Sequence, residues 1–154
     1  MKLSTREDIA APIGHVFAQA SDFDTFERRA IREGAQVTRH HDGPVMIGTA
    51  WDIAVPVRGR IRQFTSTLTA YHAPDSYTIT AMGDGLVCIA QLDLVALSPR
   101  QTRAIMKIDI TARNLTARLL LQSLKLVKTR LSDRLKSRMH NYASVIADSY
   151  RTAG

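Results

Sequence analysis

Three arginines at alternating positions, Arg58, Arg60 and Arg62, are the arrangement in this chain best suited to gripping an anion. In an extended strand, side chains two apart share a face, so the row has the parity of Phe64, Ser66 and Leu68. If that register holds, part of the row faces whatever those apolar residues cover, and a guanidinium there forks two hydrogen bonds onto a carboxylate. The other reading is a bulge at Gly59, between Val57 and Ile61, that turns all three arginines to solvent. Arg138, with Arg134 beside it, lies on an apolar stripe of the C-terminal segment. Its long stem either carries the charge out to water or anchors a buried anion.

Other chemistry finds less support. His40 and His41 are neighbours in an expected strand and point to opposite faces, so they are poorly placed to share a metal; His15, His72 and His140 stand alone. No His-Glu-x-x-His, phosphate loop or dinucleotide fingerprint occurs, and Gly83-Asp84-Gly85 reads as turn chemistry. No metal or cofactor is expected. Asp52 alternates outward if Trp51 points inward, while Tyr71, His72 and Tyr77 would be proton donors only if one of them lined a hollow. Cys88, the single cysteine, lies in the apolar run LVCIA and reads as an inert core residue.

The elements that must position these residues follow from pattern and charge. Of the 21 Lys and Arg residues, nine lie in Arg113–Gly154, where the only acids are Asp133 and Asp148. The preceding part holds 12 basic and 12 acidic residues, so the tail carries the whole net charge of +7. With no Pro, and no Gly before the last residue, the tail reads as one very long amphipathic helix. Leu120, Leu124, Val127, Leu131, Leu135, Tyr142 and Val145 form its apolar stripe, with Met139 and Ile146 alongside.

Upstream, Lys2 to Ile9 alternates as a strand. A short helix begins at Ala11-Pro12, and a second, capped by Ser21 and Asp22, runs to Gly34. Six strands follow, Ala35–His41, Gly48–Val57, Gly59–Tyr71, Ser76–Met82, Leu86–Leu97 and Thr102–Ala112, separated by Gly, Pro, Asp and Ser turn signals. Connections this short make neighbours antiparallel. The expectation is an α+β fold in one domain spanning 1–154, with a curved antiparallel sheet of about seven strands, β-α-α-β6-α, wrapped around the C-terminal helix.

Inward parity picks out a candidate ligand lining. It comprises Trp51 and Ile53 on one strand, Arg62, Phe64 and Leu68 on the next, and Ile79, Leu92, Met106 and Ile108 beyond. Leu120, Leu124 and Leu131 would close it from the helix. Most side chains of this type simply fill a core. Met106, which adapts its shape, and Trp51, with its area and single donor, lean toward a ligand in a hollow of a few hundred Å³.

The segments EDIAAPIGHVFAQASDFDTFE and GTAWDIAVPVRGRIRQ, followed by the closing helix, resemble the SRPBCC, START-like superfamily. That group includes polyketide cyclases and aromatases, lipid-transfer proteins and the birch-pollen allergen fold. The resemblance spans the whole chain and implies a helix-grip fold with a deep cavity for lipids, polyketides or other apolar molecules. It transfers no catalytic residue.

The resulting expectation is a cytoplasmic protein that binds or transports a hydrophobic small molecule. The alternatives are an enzyme of the cyclase/dehydratase type and a carrier that touches anionic membrane through its basic helix. Nucleic acid fits poorly, since Tyr142 and Tyr150 are the helix's only aromatics. Leu119 and Leu126, off the main stripe, are a candidate homodimer contact.

Overall fold

The computed structural model describes residues 1–153. In chain order it contains β1 (Lys2–Ile9), α1 (Ile13–Ala20), α2 (Phe23–Arg32), β2 (Gln36–Arg39), β3 (Ala50–Val57), β4 (Arg60–His72) and β5 (Ser76–Gly83). These are followed by β6 (Leu86–Ser98), β7 (Gln101–Ala112), α3 (Leu115–Leu126) and α4 (Lys128–Ala153). The strands form one sheet in the order β1-β7-β6-β5-β4-β3-β2, and every neighbouring pair is antiparallel. This is the α+β helix-grip arrangement that the sequence pattern predicts.

Local chemistry accounts for the element ends. Pro12 stands at the N-cap of α1, and Asp22 caps α2 by accepting from the Thr25 N–H at 3.2 Å. Arg58 and Gly59 have φ of 51° and 88°, which makes the β3–β4 connection a two-residue turn with both central residues left-handed. That turn replaces the bulge considered for this segment. Register shifts at Thr69 in β4 and Leu97 in β6 instead bend the sheet.

The concave face follows from the register. Trp51 opposes Ser66, Ile53 opposes Phe64, Val55 opposes Arg62, and Leu68 opposes Ile79. Tyr77 opposes Leu92, which in turn opposes Met106, and Ile108 lies opposite Ala90. All nine strand positions named as candidate lining therefore share one face of the sheet.

One expectation is corrected. The C-terminal arm is not a single helix: Val127, at φ −112° and ψ 21°, separates α3 from α4. Its N–H turns to the Leu124 carbonyl at 3.1 Å, an i−3 bond that tightens and closes the last turn of α3. A stripe extrapolated through the break loses phase. Along α4, Ala143 and Ile146 are buried, whereas Val145 is exposed.

The break also divides the core. Ile9, Val16, Phe17, Phe23, Trp51 and Leu68 belong to a large cluster that includes Ala143 and Ile146 of α4. A smaller one joins Leu86 to Ala117, Leu120 and Leu121 of α3, with Phe64 and Ile110 packed beside them. Leu68 is completely buried in the first. Leu68→Ala is expected to cost about 3 kcal/mol, measured as a shift in the urea unfolding midpoint at unchanged slope.

Candidate ligand-binding site

Between the concave face and α1, α2 and α4 lies a cavity of about 520 Å³, within the size range of small-molecule sites. Its floor is strand: Ile9 of β1, Tyr77 of β5, Leu92 and Leu94 of β6, and Ala104 and Met106 of β7. Val16 and Ala20 of α1 and Phe26 of α2 form one wall. Leu135, Met139, Tyr142, Ala143 and Ile146 of α4 form the other. Alanines at positions 20, 104 and 143 keep the space open, because a Leu at any of them would project several atoms inward.

Polar groups gather at the rim. The Arg138 Nη1 lies 3.6 Å from the Glu33 carboxylate, linking α4 to the end of α2, and both side chains are more than half exposed. The Arg29 guanidinium sits over the Tyr142 ring, 5.7 Å from its centroid. The mouth thus carries two arginines against one glutamate.

The phenols in the wall are committed to structure. Tyr77 donates to the Ala20 carbonyl at 2.7 Å and Tyr142 to the Gln19 carbonyl at 2.9 Å, satisfying two carbonyls at the C-terminal end of α1 that lack helical partners. Burial raises the Tyr77 phenol far above its ordinary value, and burial is also the main cause that takes Tyr142 up to about 12. Both rings therefore stay protonated through the neutral range. α2 is fixed separately: Glu27 accepts from the Trp51 indole at 2.5 Å and from Arg39 Nε at 2.8 Å.

The structure separates the residues named from sequence. Leu92 and Met106 lie in the cavity floor. Trp51 is buried outside the lining against Phe23, with ring centroids 5.8 Å apart. Leu68 is core; Ile53 and Ile79 are half-buried and pack on the same cluster. Phe64 and Leu120 belong with α3, while Ile108, Leu124 and Leu131 are half-buried outside the cavity lining.

The arginine row also divides. Arg62 is mostly covered, donating to the Val57 carbonyl at 3.0 Å and to Asp84 at 3.2 Å; Arg60 is exposed, and Arg58 reaches Ser123 of α3 at 2.9 Å. Arg138 stands at the rim with its charge in solvent.

Sequence reasoning turned Val16, Ala20 and Phe26 inward without assigning them to a site. The signal lay in the coincidence of small residues at inward positions, Ala20 and Ala104, with an inward Tyr. Elsewhere, Cys88 is half-buried, and burial, with Asp109 nearby, raises its thiol pKa and so disfavours the thiolate. Among the described residues no group of three His, Cys, Asp or Glu side chains is placed to hold a metal. No helix among them is long and apolar enough to cross a membrane.

Against solved structures, the chain is similar to an aromatase/cyclase, Zhui, from Streptomyces sp. R1128, with a TM-score of 0.70 and 16% identity over 100% of this chain and 98% of that one. The chain has the helix-grip fold of the SRPBCC, START-like superfamily. TTHA0849 from Thermus thermophilus superposes with a TM-score of 0.69 at 12% identity, covering 97% of this chain and 99% of the other. A Thalictrum flavum norcoclaurine synthase in complex with dopamine and hydroxybenzaldehyde gives 0.67 at 10% identity over 97% and 87%. At these identities the likeness is one of fold. No family model and no curated sequence matches the chain.

The raised Tyr142 pKa sets an alkaline limit. A group raised in the fold contributes stability that is complete below its unfolded value of 10.0 and is lost as pH climbs toward about 12. Denaturant titrations are expected to show stability falling across that interval, and Tyr142→Phe should make the fall shallower.

Proposed function

We propose that this protein binds, and by binding transports, a hydrophobic small molecule in the cavity between sheet and α4. The observation that carries the reading is the cavity itself: about 520 Å³, walled mainly by aliphatic and aromatic side chains, with its charged groups confined to one rim. Burying the apolar body of a lipid, polyketide-like or aromatic molecule there contributes roughly 25 cal/mol per Å² removed from water. Arg29 and Arg138 favour a ligand whose polar end is anionic, since together they outnumber Glu33 at the mouth. Arg62 is held by Val57 and Asp84 and is not assigned this role.

Binding is favoured over cyclisation because both phenols of the wall already donate to backbone carbonyls, so using either as an acid would unseat the end of α1. The fold likeness to a Streptomyces aromatase/cyclase and to a norcoclaurine synthase crystallised with aromatic ligands is compatible with an apolar guest. It does not choose the guest.

The test uses 1-anilinonaphthalene-8-sulfonate, an apolar probe with an anionic end. Filling the space with Met139→Trp or Leu135→Trp should weaken probe binding by about tenfold or more, equivalent to about 1.4 kcal/mol. Leu124→Trp, outside the lining, should leave it unchanged. Equal binding by all four proteins in a fluorescence titration, with folding verified by circular dichroism, would remove the cavity from the function.

A further inference from the structure

On α3, the side facing away from the sheet is apolar where water would be expected to select polar residues. Leu115, Leu119 and Leu126 are 71%, 62% and 86% exposed. At about 100° per residue these three fall within about 40° of one another, roughly opposite the face formed by Ala117, Leu120, Leu121 and Leu124. That second face is the one packed toward Leu86 and the sheet. A helix of 12 residues thus has two leucine faces, one buried and one bare.

The bare face is bordered by positive charge. Arg118 and Lys125 lie along one flank, both exposed. On the other flank is Ser123, and Arg58 from the β3–β4 turn is fastened to it at 2.9 Å. Arg113 precedes the helix, and Lys128 and Arg130 follow it. Between Asp109 and Asp133 the chain contains five basic residues and no acid.

We propose that this face of α3 docks the protein onto an anionic lipid surface, the three leucines entering the headgroup boundary while the flanking basic side chains meet lipid phosphates and carboxylates. Exposed leucines flanked by Lys and Arg are what an interfacial helix needs, apolar area for insertion and charge for attraction. A second copy of this chain is the poorer occupant. Stacking two such faces brings their basic borders together with no acid among them to compensate. Nucleic acid is poorer too, because the face offers leucines and no aromatic ring for a base to stack on. The docking face lies on α3, whereas the cavity is walled by α1, α2 and α4, so its test is independent of whether the cavity binds a guest.

Co-sedimentation of the full chain with vesicles of phosphatidylcholine alone, or mixed with phosphatidylserine, tests the assignment. Binding is expected to the mixed vesicles at low ionic strength, to fall as salt rises, and to be far weaker to phosphatidylcholine alone. Arg118→Glu with Lys125→Glu should reduce partitioning by at least about fivefold for each charge lost. Leu119→Gln with Leu126→Gln should reduce it by about tenfold or more at the same phosphatidylserine content. Both pairs of positions are exposed, and an unchanged thermal midpoint checks the fold.

Absence of wild-type binding to mixed vesicles at low salt overturns the proposal. So does equal binding by the leucine variant. Self-association in sedimentation velocity that Leu126→Gln abolishes, without vesicle binding, would reassign the face to a dimer. A gel shift with an oligonucleotide that Arg118→Glu abolishes, again without vesicle binding, would reassign it to nucleic acid.

Discussion

Two phenols hold the open end of this molecule in place. Tyr77 rises from the sheet and Tyr142 descends from α4, and both end on carbonyls in the last turn of α1. A helix terminus leaves such groups without partners, and burying them unpaired would be costly. Meeting that need from two directions ties the floor, one wall and the cover to a single turn of helix. The separation between sheet and α4 is set there, and the cavity is the space that separation leaves where Ala20, Ala104 and Ala143 do not fill it.

The anchoring of α2 is electrostatic. Glu27, partly buried, receives the Trp51 indole and the Arg39 guanidinium, and Asp24 adds a second, more exposed partner for Arg39. Trp51 accordingly serves as a post for α2, stacked against Phe23, and its single donor is used within the protein. The short helices, which look like interruptions of the sheet, are the parts that make one end of it hollow.

Much of the fold was legible because strands with one buried face advertise their parity. Ala104, Met106, Ile108 and Ile110 alternate cleanly, and the register confirms their shared face with Ala90 and Leu92. The location of the site was less legible, because parity tells which way a side chain points and not whether another side chain meets it. Leu68 and Leu92 point the same way; one is packed solid and the other faces space. What decides between them is the covering layer, and the phase of that layer is lost at Val127. An unbroken helical repeat places Val145 inward, but the reset after the break exposes it and buries Ile146. A single non-helical residue with no Gly or Pro to announce it leaves little trace in sequence.

That same interruption gives the two ends of the molecule different mechanical characters. The cluster under α3 shares no buried residue with the one that walls the cavity. Whether a guest occupies the hollow therefore alters packing on the α4 side alone. One end of the protein is a fixed footing and the other an adjustable clasp, and the clasp can open or close without disturbing the footing.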